Sequence, residues 1–333
     1  MTKLSPYSRI AVLGGGAWGT ALAIAAIHAG RDTILWAREA DVVAGIADTR
    51  ENKRFLPGVT LPGALAATGR LEEAAHADAL LLTTPAQMLG EFARRLAPLV
   101  RDDTPLVVCS KGIEKDSGKL VHEIVADAIP RVPIAILSGP SFARDVAKGL
   151  PTAVTIAAGG EVAERLQASL GSLAFRPYAS DDVTGVALGG AAKNVYAIAC
   201  GVVEGLELGE NARAALLARS FAELARLGEA LGAKRDTLMG LSGLGDLVLT
   251  ATSRSSRNFS FGVELGRGKS VAELDLPDQP LAEGVATAPA LIKRARAHGV
   301  ELPVAEAMAD LLKGALPLGE ALTRLMSRRL KAE

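Results

Sequence analysis

Residues able to do chemistry are concentrated in four places along this 333-residue chain. The first is Gly14-Gly15-Gly16-Ala17-Trp18-Gly19, a GxGxxG string after an apolar run at 10–13 and before an alanine-rich stretch. Between a strand and a helix, such a string suits a dinucleotide pyrophosphate. Gly14 permits the tight turn, Gly16 lets the backbone approach the phosphates, and Gly19 lets helix and strand pack closely. The helix start adds N–H donors and a partial positive charge. The competing reading is a glycine turn that binds nothing.

The second place is the end of the next apolar run, Ile34-Leu35-Trp36-Ala37, followed by Arg38 and Glu39. An acidic residue there grips a ribose 2′-hydroxyl, and an arginine pairs with a 2′-phosphate. Arg38 favours NADP(H) with NAD(H) tolerated. The alternative is that Arg38 is a solvated charge.

The third is a pair of small polar loops at the exits of two further apolar runs. They are Ser110-Lys111-Gly112 and Ser138-Gly139-Pro140-Ser141-Phe142-Ala143. Ligands of parallel sheets lie beyond the carboxyl ends of the strands. Lys111 is placed to reach an anionic substrate or the nicotinamide side of a cofactor, or else is a surface lysine.

The fourth lies in the second half. Lys193-Asn194 interrupts a long apolar stretch, and a lysine there is costly to bury unless it is paired or used. Asp246 follows the glycine-rich Leu241–Gly245 and either caps a helix or orients that lysine. The two environments act oppositely, since desolvation lowers a lysine pKa and an acidic neighbour raises it. Arg254-Ser255-Ser256-Arg257-Asn258 gathers two guanidiniums, two hydroxyls and an amide, a donor set suited to phosphate. An exposed polar loop is the alternative.

The surrounding pattern supplies elements to hold these groups. Apolar runs at 10–13, 33–36, 79–83, 106–109, 134–137 and 152–157 predict strands, with helical spacing at 20–29, 88–100 and 119–128. Alternation of this kind predicts a mostly parallel, doubly wound sheet with helices on both faces. From about residue 185 strand signals become rare. Helices are predicted over 187–204, 212–231, 288–298 and 305–314, with punctuation at Gly266, Gly268, Pro277, Pro280 and Pro303. The expected organisation is an N-terminal α/β, Rossmann-like dinucleotide domain over 1–185 and an all-α substrate and catalytic domain over 186–333.

Composition removes other classes. Lys plus Arg and Asp plus Glu are both 37, so the formal net charge is zero and nothing favours nucleic acid or an anionic membrane. Two cysteines, Cys109 and Cys200, and four scattered histidines form no metal-ligand spacing. Buried thiols fit a reducing, cytoplasmic setting. The uncharged stretch 10–30 could pass for a membrane span, but its glycines argue for a turn.

These motifs sit in longer strings that resemble a known family. GGGAWGTALA at 14–23, NKRFLPG at 52–58, SKGIE at 110–114 and LSGPSFARDVAKGLPTA at 137–153 belong to the match. So do ALGGAAKNVYAIACGVVEGLELGENARAAL at 187–216, GLSGLGDLVLTATSRSSRNFSFG at 240–262 and AEGVATA at 282–288. The chain resembles bacterial-type NAD(P)-dependent glycerol-3-phosphate dehydrogenase nearly end to end. The resemblance implies reduction of dihydroxyacetone phosphate to glycerol 3-phosphate with NADPH or NADH, supplying glycerophospholipid synthesis.

It implies Lys193 and Asp246 as the catalytic residues, with Lys193 as general acid and base and Asp246 the acidic residue near it. It implies substrate contacts at Lys111, Gly139, Ser141, Lys193, Asp246, Ser256, Arg257 and Asn258. Cofactor contacts are implied at Gly14, Gly16, Ala17, Trp18, Gly19, Arg38, Phe55, Lys111, Ala143, Arg257 and Glu283. Three positions depart from the common pattern: Ala17 for serine, Ser110 for threonine and Glu204 for aspartate. None touches the implied proton relay. A homodimer is the base-rate assembly. Two alternatives stay open: a two-domain reductase acting on a branched or sugar acid, and a non-catalytic sensor of NAD(P)H.

Overall fold

In the computed structural model of the chain, residues 4–274 and 282–321 are described. Pro277 and Pro280 lie outside the described residues. The chain divides into two compact units: Met1–Lys111 with Val121–Ala187, and Gly112–Leu120 with Leu188–Glu333.

The first unit is built on one eight-stranded sheet. Its strands are β1 (Arg9–Leu13), β2 (Asp32–Trp36), β3 (Ala66–Thr68), β4 (Ala79–Leu82), β5 (Leu106–Val108), β6 (Ile134–Ser138), β7 (Thr152–Ala158) and β8 (Phe175–Ser180). The order is β3-β2-β1-β4-β5-β6-β7-β8. Every neighbouring pair is parallel except β6 and β7. The interior strands are unbroken apolar runs, as sheets covered on both faces require: Leu80, Leu81 and Leu82 of β4 are wholly buried, as are Leu106, Val107 and Val108 of β5.

β3 and β8 were not expected from the sequence. β3 is three residues long, and β8 carries Arg176 and Tyr178 on its open face around Pro177. Both are edge strands, half-exposed and short of apolar signal. The uncharged stretch 10–30 divides into β1, the glycine turn and the helix Ala17–His28.

The second unit is helical. Val183–Gly205 begins at the end of the first unit and runs on as the central helix of the second. It is long and apolar enough to cross a membrane, but its apolar window is 100 % buried inside the protein, as a core helix is. It crosses the helix Arg257–Gly266 at glycines. A Cβ at Gly201 would lie 2.1 Å from the Phe259 carbonyl oxygen, and one at Gly262 would lie 2.1 Å from that of Ile198. Backbone therefore meets backbone, which brings Asn194 to Asn258. The segment Gly112–Leu120 joins this unit through Lys293 Nζ on the Asp116 carbonyl (2.6 Å) and Arg294 Nη1 on that of Gly118 (3.1 Å).

Glu223, on the helix Gly209–Ala230, is 3 % exposed and accepts from the Val304 and Ala305 N–H groups at 2.7 and 3.2 Å. These amides open the helix Pro303–Leu312. The Tyr196 hydroxyl lies 3.4 Å away, so one carboxyl links three helices. Burial pushes Glu223 up to about 7, against the backbone donors, Arg226 and Tyr196, which favour the ionised form. Because the folded value lies above the ordinary one, the folded state holds a proton that the unfolded chain releases. The group's stabilising contribution is present at low pH and is lost as pH rises through about 7. The Glu223→Gln variant keeps a neutral side chain. Its melting temperature relative to the native protein is expected to rise between about pH 5 and pH 7 and level off above. A pH-independent difference would refute this.

Candidate active site

In the first unit, β1 ends at the point where strand order turns from β2 on one side to β4 on the other. That switch point is where such sheets bind ligands. The glycine turn emerging there is held from both sides. Gly14 N donates to the Trp36 carbonyl at 3.0 Å, and Thr83, just after β4, donates to the Leu13 and Gly14 carbonyls, both at 3.1 Å. Asn52, wholly buried, donates from Nδ2 to the Gly15 carbonyl (2.7 Å) and to Thr20 Oγ1 (2.8 Å). Its Oδ1 accepts from Phe55 N at 3.1 Å, which ties the half-exposed Phe55 loop to the turn.

Within the turn, Gly14 has φ +136°, and a Cβ at Gly19 would lie 2.0 Å from the Gly14 carbonyl oxygen. A Cβ at Gly16 would meet nothing within 4 Å. Gly16 is also the N-cap of the helix Ala17–His28 and places no side chain over its first amides. Ala17, Trp18 and Ala143 pack against the same apolar core. Arg38 and Glu39 follow β2 and are paired with each other at 3.0 Å.

Loop residues beyond β5 and β6 converge on one atom. Lys111 Nζ donates to the Gly139 carbonyl at 3.1 Å, and Ser141 Oγ donates to the same oxygen at 2.9 Å.

In the second unit, Lys193 and Asp246 form a buried ion pair, with side chains 8 % and 1 % exposed. Thr250 Oγ1 accepts from Lys193 Nζ at 2.9 Å and lies 3.3 Å from Asp246 Oδ1. Asp246 opens the helix Asp246–Thr252, whose N-cap is Gly245, so its carboxylate is not the cap but the partner of the lysine. Thr250 was not anticipated. Its signal was the four-residue spacing from Asp246, which stacks both on one helix face.

The neighbouring Asn194 Oδ1 accepts from Asn258 Nδ2 at 3.0 Å, and Asn258 Oδ1 accepts from Gly284 N at 2.9 Å. Gly284 follows the half-buried Glu283 at the start of the helix Glu283–Ala297. Ser256 caps the helix Arg257–Gly266, its Oγ accepting from Phe259 N at 3.2 Å. The two arginines of this segment differ. Arg254 lies 3.5 Å from Glu204, which also pairs with Arg213. Arg257 is exposed and pairs with no carboxylate among the described residues.

Both halves match one family along their length. Residues 9–163 match NAD-dependent glycerol-3-phosphate dehydrogenase N-terminus, and residues 182–323 match the C-terminus of the same family. The chain belongs to the NAD-dependent glycerol-3-phosphate dehydrogenase family. It is 52 % identical over 328 residues to glycerol-3-phosphate dehydrogenase [NAD(P)+] of Parvibaculum lavamentivorans, covering 98 % of each chain. It is 54 % identical over 328 residues to the protein so named from a Bradyrhizobium species (strain ORS 278), again covering 98 % of each. The crystal structure of glycerol-3-phosphate dehydrogenase from Coxiella burnetii superposes with a TM-score of 0.92 at 37 % identity, covering 97 % of this chain and 99 % of that one.

The first unit suits the nicotinamide dinucleotide of this dehydrogenase family. Gly16, the one glycine of its turn with open space beside it, is the N-cap of a helix whose first amides no side chain caps. Several polar atoms near the carboxyl ends of the strands are buried with no partner among the described residues: Trp18 Nε1 after β1, Thr84 Oγ1 after β4, Ser110 Oγ after β5 and Ser138 Oγ at the end of β6. Buried donors and acceptors are seldom left unmatched, and a polar ligand over these strand ends would meet them.

Proposed function

We propose that the chain reduces dihydroxyacetone phosphate to glycerol 3-phosphate, reversibly, with NADPH or NADH, and so feeds glycerophospholipid synthesis. The observation that carries the proton-transfer role is the buried Lys193–Asp246–Thr250 group. A bound nicotinamide dinucleotide supplies the hydride. As the ketone carbon accepts it, negative charge develops on oxygen, and the Lys193 ammonium stabilises that charge and gives up a proton. Asp246 and Thr250 hold the ammonium in place. In the opposite direction neutral Lys193 takes the hydroxyl proton.

Arg257 is assigned to the substrate phosphate, since it is exposed and, unlike Arg254, pairs with no carboxylate among the described residues. Ser256 retains a hydroxyl hydrogen to donate while its oxygen caps the helix. Asn258 is held by Asn194 and Gly284, so its amide is fixed in orientation before substrate arrives. Lys111, Gly139 and Ser141 are assigned to the substrate and nicotinamide side. Gly14, Gly16, Ala17, Trp18, Gly19, Arg38, Phe55, Ala143 and Glu283 are assigned to the cofactor. The cytoplasm and a homodimer complete the proposal, supported by two buried, unpaired cysteines and by base rate respectively.

The test follows NADPH and NADH absorbance with dihydroxyacetone phosphate, beside 2-keto acids of similar size. Oxidation with the phosphate ester alone supports the proposal. Oxidation only with a keto acid moves it to the acid reductase, and tight cofactor binding without turnover moves it to a sensor. Arg257→Ala is expected to lower kcat/KM for dihydroxyacetone phosphate by about 10- to 100-fold, the scale of a lost charge-assisted hydrogen bond. The loss should appear mainly in KM. An unchanged KM would free Arg257 from the phosphate role.

A further inference from the structure

We propose that Gly189 and the turn Leu241–Gly245 form a positioning device for the proton-transfer group, in which backbone contact at Gly189 fixes how far Asp246 stands from Lys193. The inference rests on the role proposed above for Lys193 and deepens it. Leu241–Gly245 is a single π turn. Gly245 N donates to the Gly240 carbonyl at 3.0 Å, and the Asp246 N–H reaches back five residues to that of Leu241. Such wide turns are rare and recur at functional sites. This one ends where the helix Asp246–Thr252 begins, and that helix carries both Asp246 and Thr250, which hold Lys193.

The turn is seated on backbone from two sides. A Cβ at Gly189 would lie 2.5 Å from the Ser242 carbonyl oxygen and 3.1 Å from Gly243 Cα. A Cβ at Gly243 would lie 1.9 Å from the Leu238 carbonyl oxygen, which belongs to the preceding helix Arg235–Met239. Ser242 is wholly buried. A shift of the turn is therefore passed on through packed neighbours rather than absorbed by solvent.

Spacing ties this seat to the chemistry. Gly189 precedes Lys193 by four residues on the helix Val183–Gly205, and Ser242 precedes Asp246 by four. The Gly189–Ser242 contact thus lies about one turn before the Lys193–Asp246 pair on both segments. A carbon needs about 3.3 Å to a carbonyl oxygen, so a methyl group at residue 189 would push the turn away by about an ångström. Asp246 and Thr250 follow directly from that turn and would move with it. The bare backbone at Gly189 lets the carboxylate and the hydroxyl reach the ammonium together.

The experiment compares full-length G189A, G243A and G205A, and D246E with and without G189A, by steady-state kinetics with dihydroxyacetone phosphate and NADPH and by thermal melting. G189A is expected to lower kcat by about 10²-fold, the scale of a misplacement of about an ångström, with KM near native. G205A is the structural control. Its Cβ would lie 2.2 Å from the Val263 carbonyl oxygen, twelve residues beyond Lys193 on the same helix. It should lower the melting temperature and keep a near-native kcat. D246E lengthens the carboxylate arm by one carbon–carbon bond, about 1.5 Å. Alone it should lower kcat, and in G189A it should restore part of it, because the longer arm spans the widened gap. A glycine needed only for packing gives no such rescue. G243A strikes the same turn from the preceding helix, should show the same loss of kcat, and carries the test if G189A does not fold. The inference is overturned if folded G189A or G243A keeps a near-native kcat, if G205A loses as much as G189A, or if D246E lowers kcat in G189A as it does in the native protein. Native protein that binds NADPH but does not turn over dihydroxyacetone phosphate would sink the proton-transfer reading instead.

Discussion

Replacing Lys193 with alanine is expected to lower the rate of the chemical step by at least about 10²-fold, the scale of a lost general acid. NADPH affinity should stay near that of the native protein, because Lys193 belongs to the helical unit and the glycine turn to the other. The substitution has a second consequence. Asp246 is 1 % exposed, and without the ammonium its carboxylate keeps Thr250 but loses its cation. Leaving one charge of a buried pair unmatched costs about 3–5 kcal/mol, so the single variant should also melt lower. The double variant Lys193→Met with Asp246→Leu removes both charges and should recover much of that stability. It should not recover turnover. Single-turnover absorbance measurements read the rate, and thermal melting reads the fold. A double variant that regains activity with stability would show that Lys193 is structural, and so would a single variant with a near-native rate.

The second large effect is expected at Gly19. A Cβ there would lie 2.0 Å from the Gly14 carbonyl oxygen and 2.6 Å from Thr83 Oγ1. The first is backbone, and it belongs to a turn already fixed by Trp36 and Thr83. The turn must open, which we expect to cost about 3 kcal/mol, the upper end for overpacking. Cofactor binding should be lost with it, as the phosphate-facing amides are displaced. Gly16→Ala provides the contrast, because a Cβ at Gly16 meets no protein atom within 4 Å. That variant should melt like the native protein and still bind dinucleotide poorly, since the methyl group would stand where the backbone approaches the pyrophosphate. Equal melting losses in both variants would mean that Gly16 serves the fold rather than a ligand.

The fold was largely legible because its main signals are strong and local. The apolar runs that became β1, β2 and β4 through β7 are covered on both faces, so they contain little polar interruption. The edge strands β3 and β8 were not legible, since their pairing depends on a neighbour that no local pattern names. The reversal of β7 against β6 was equally silent, because strand direction is a property of the path between strands.

At the site, Lys193 stood out as a charge inside an apolar stretch, and the structure gives it a buried carboxylate 53 residues away. Thr250 and Asn52 did not stand out. A threonine on a helix and an asparagine in a loop are ordinary until their hydrogen-bond partners are known. Arg254 and Arg257 could not be separated from composition either. Only the folded chain pairs Arg254 with Glu204 and leaves Arg257 exposed.

The amino-acid order alone determined the alternating α/β half, the helical half, the glycine turn and the residue types able to carry a dinucleotide, a phosphate and a proton. Each of these rests on periodicity or on a short string, which are local properties of the chain. The tertiary structure decided which of these residues meet: Lys193 with Asp246 and Thr250, Asn258 with Asn194 and Gly284, Lys111 and Ser141 on Gly139, and Gly112–Leu120 within the helical unit. These contacts depend on close backbone approach, such as that of Gly201 to Phe259, and on burial that no single segment can achieve. They arise only when distant segments exclude water together.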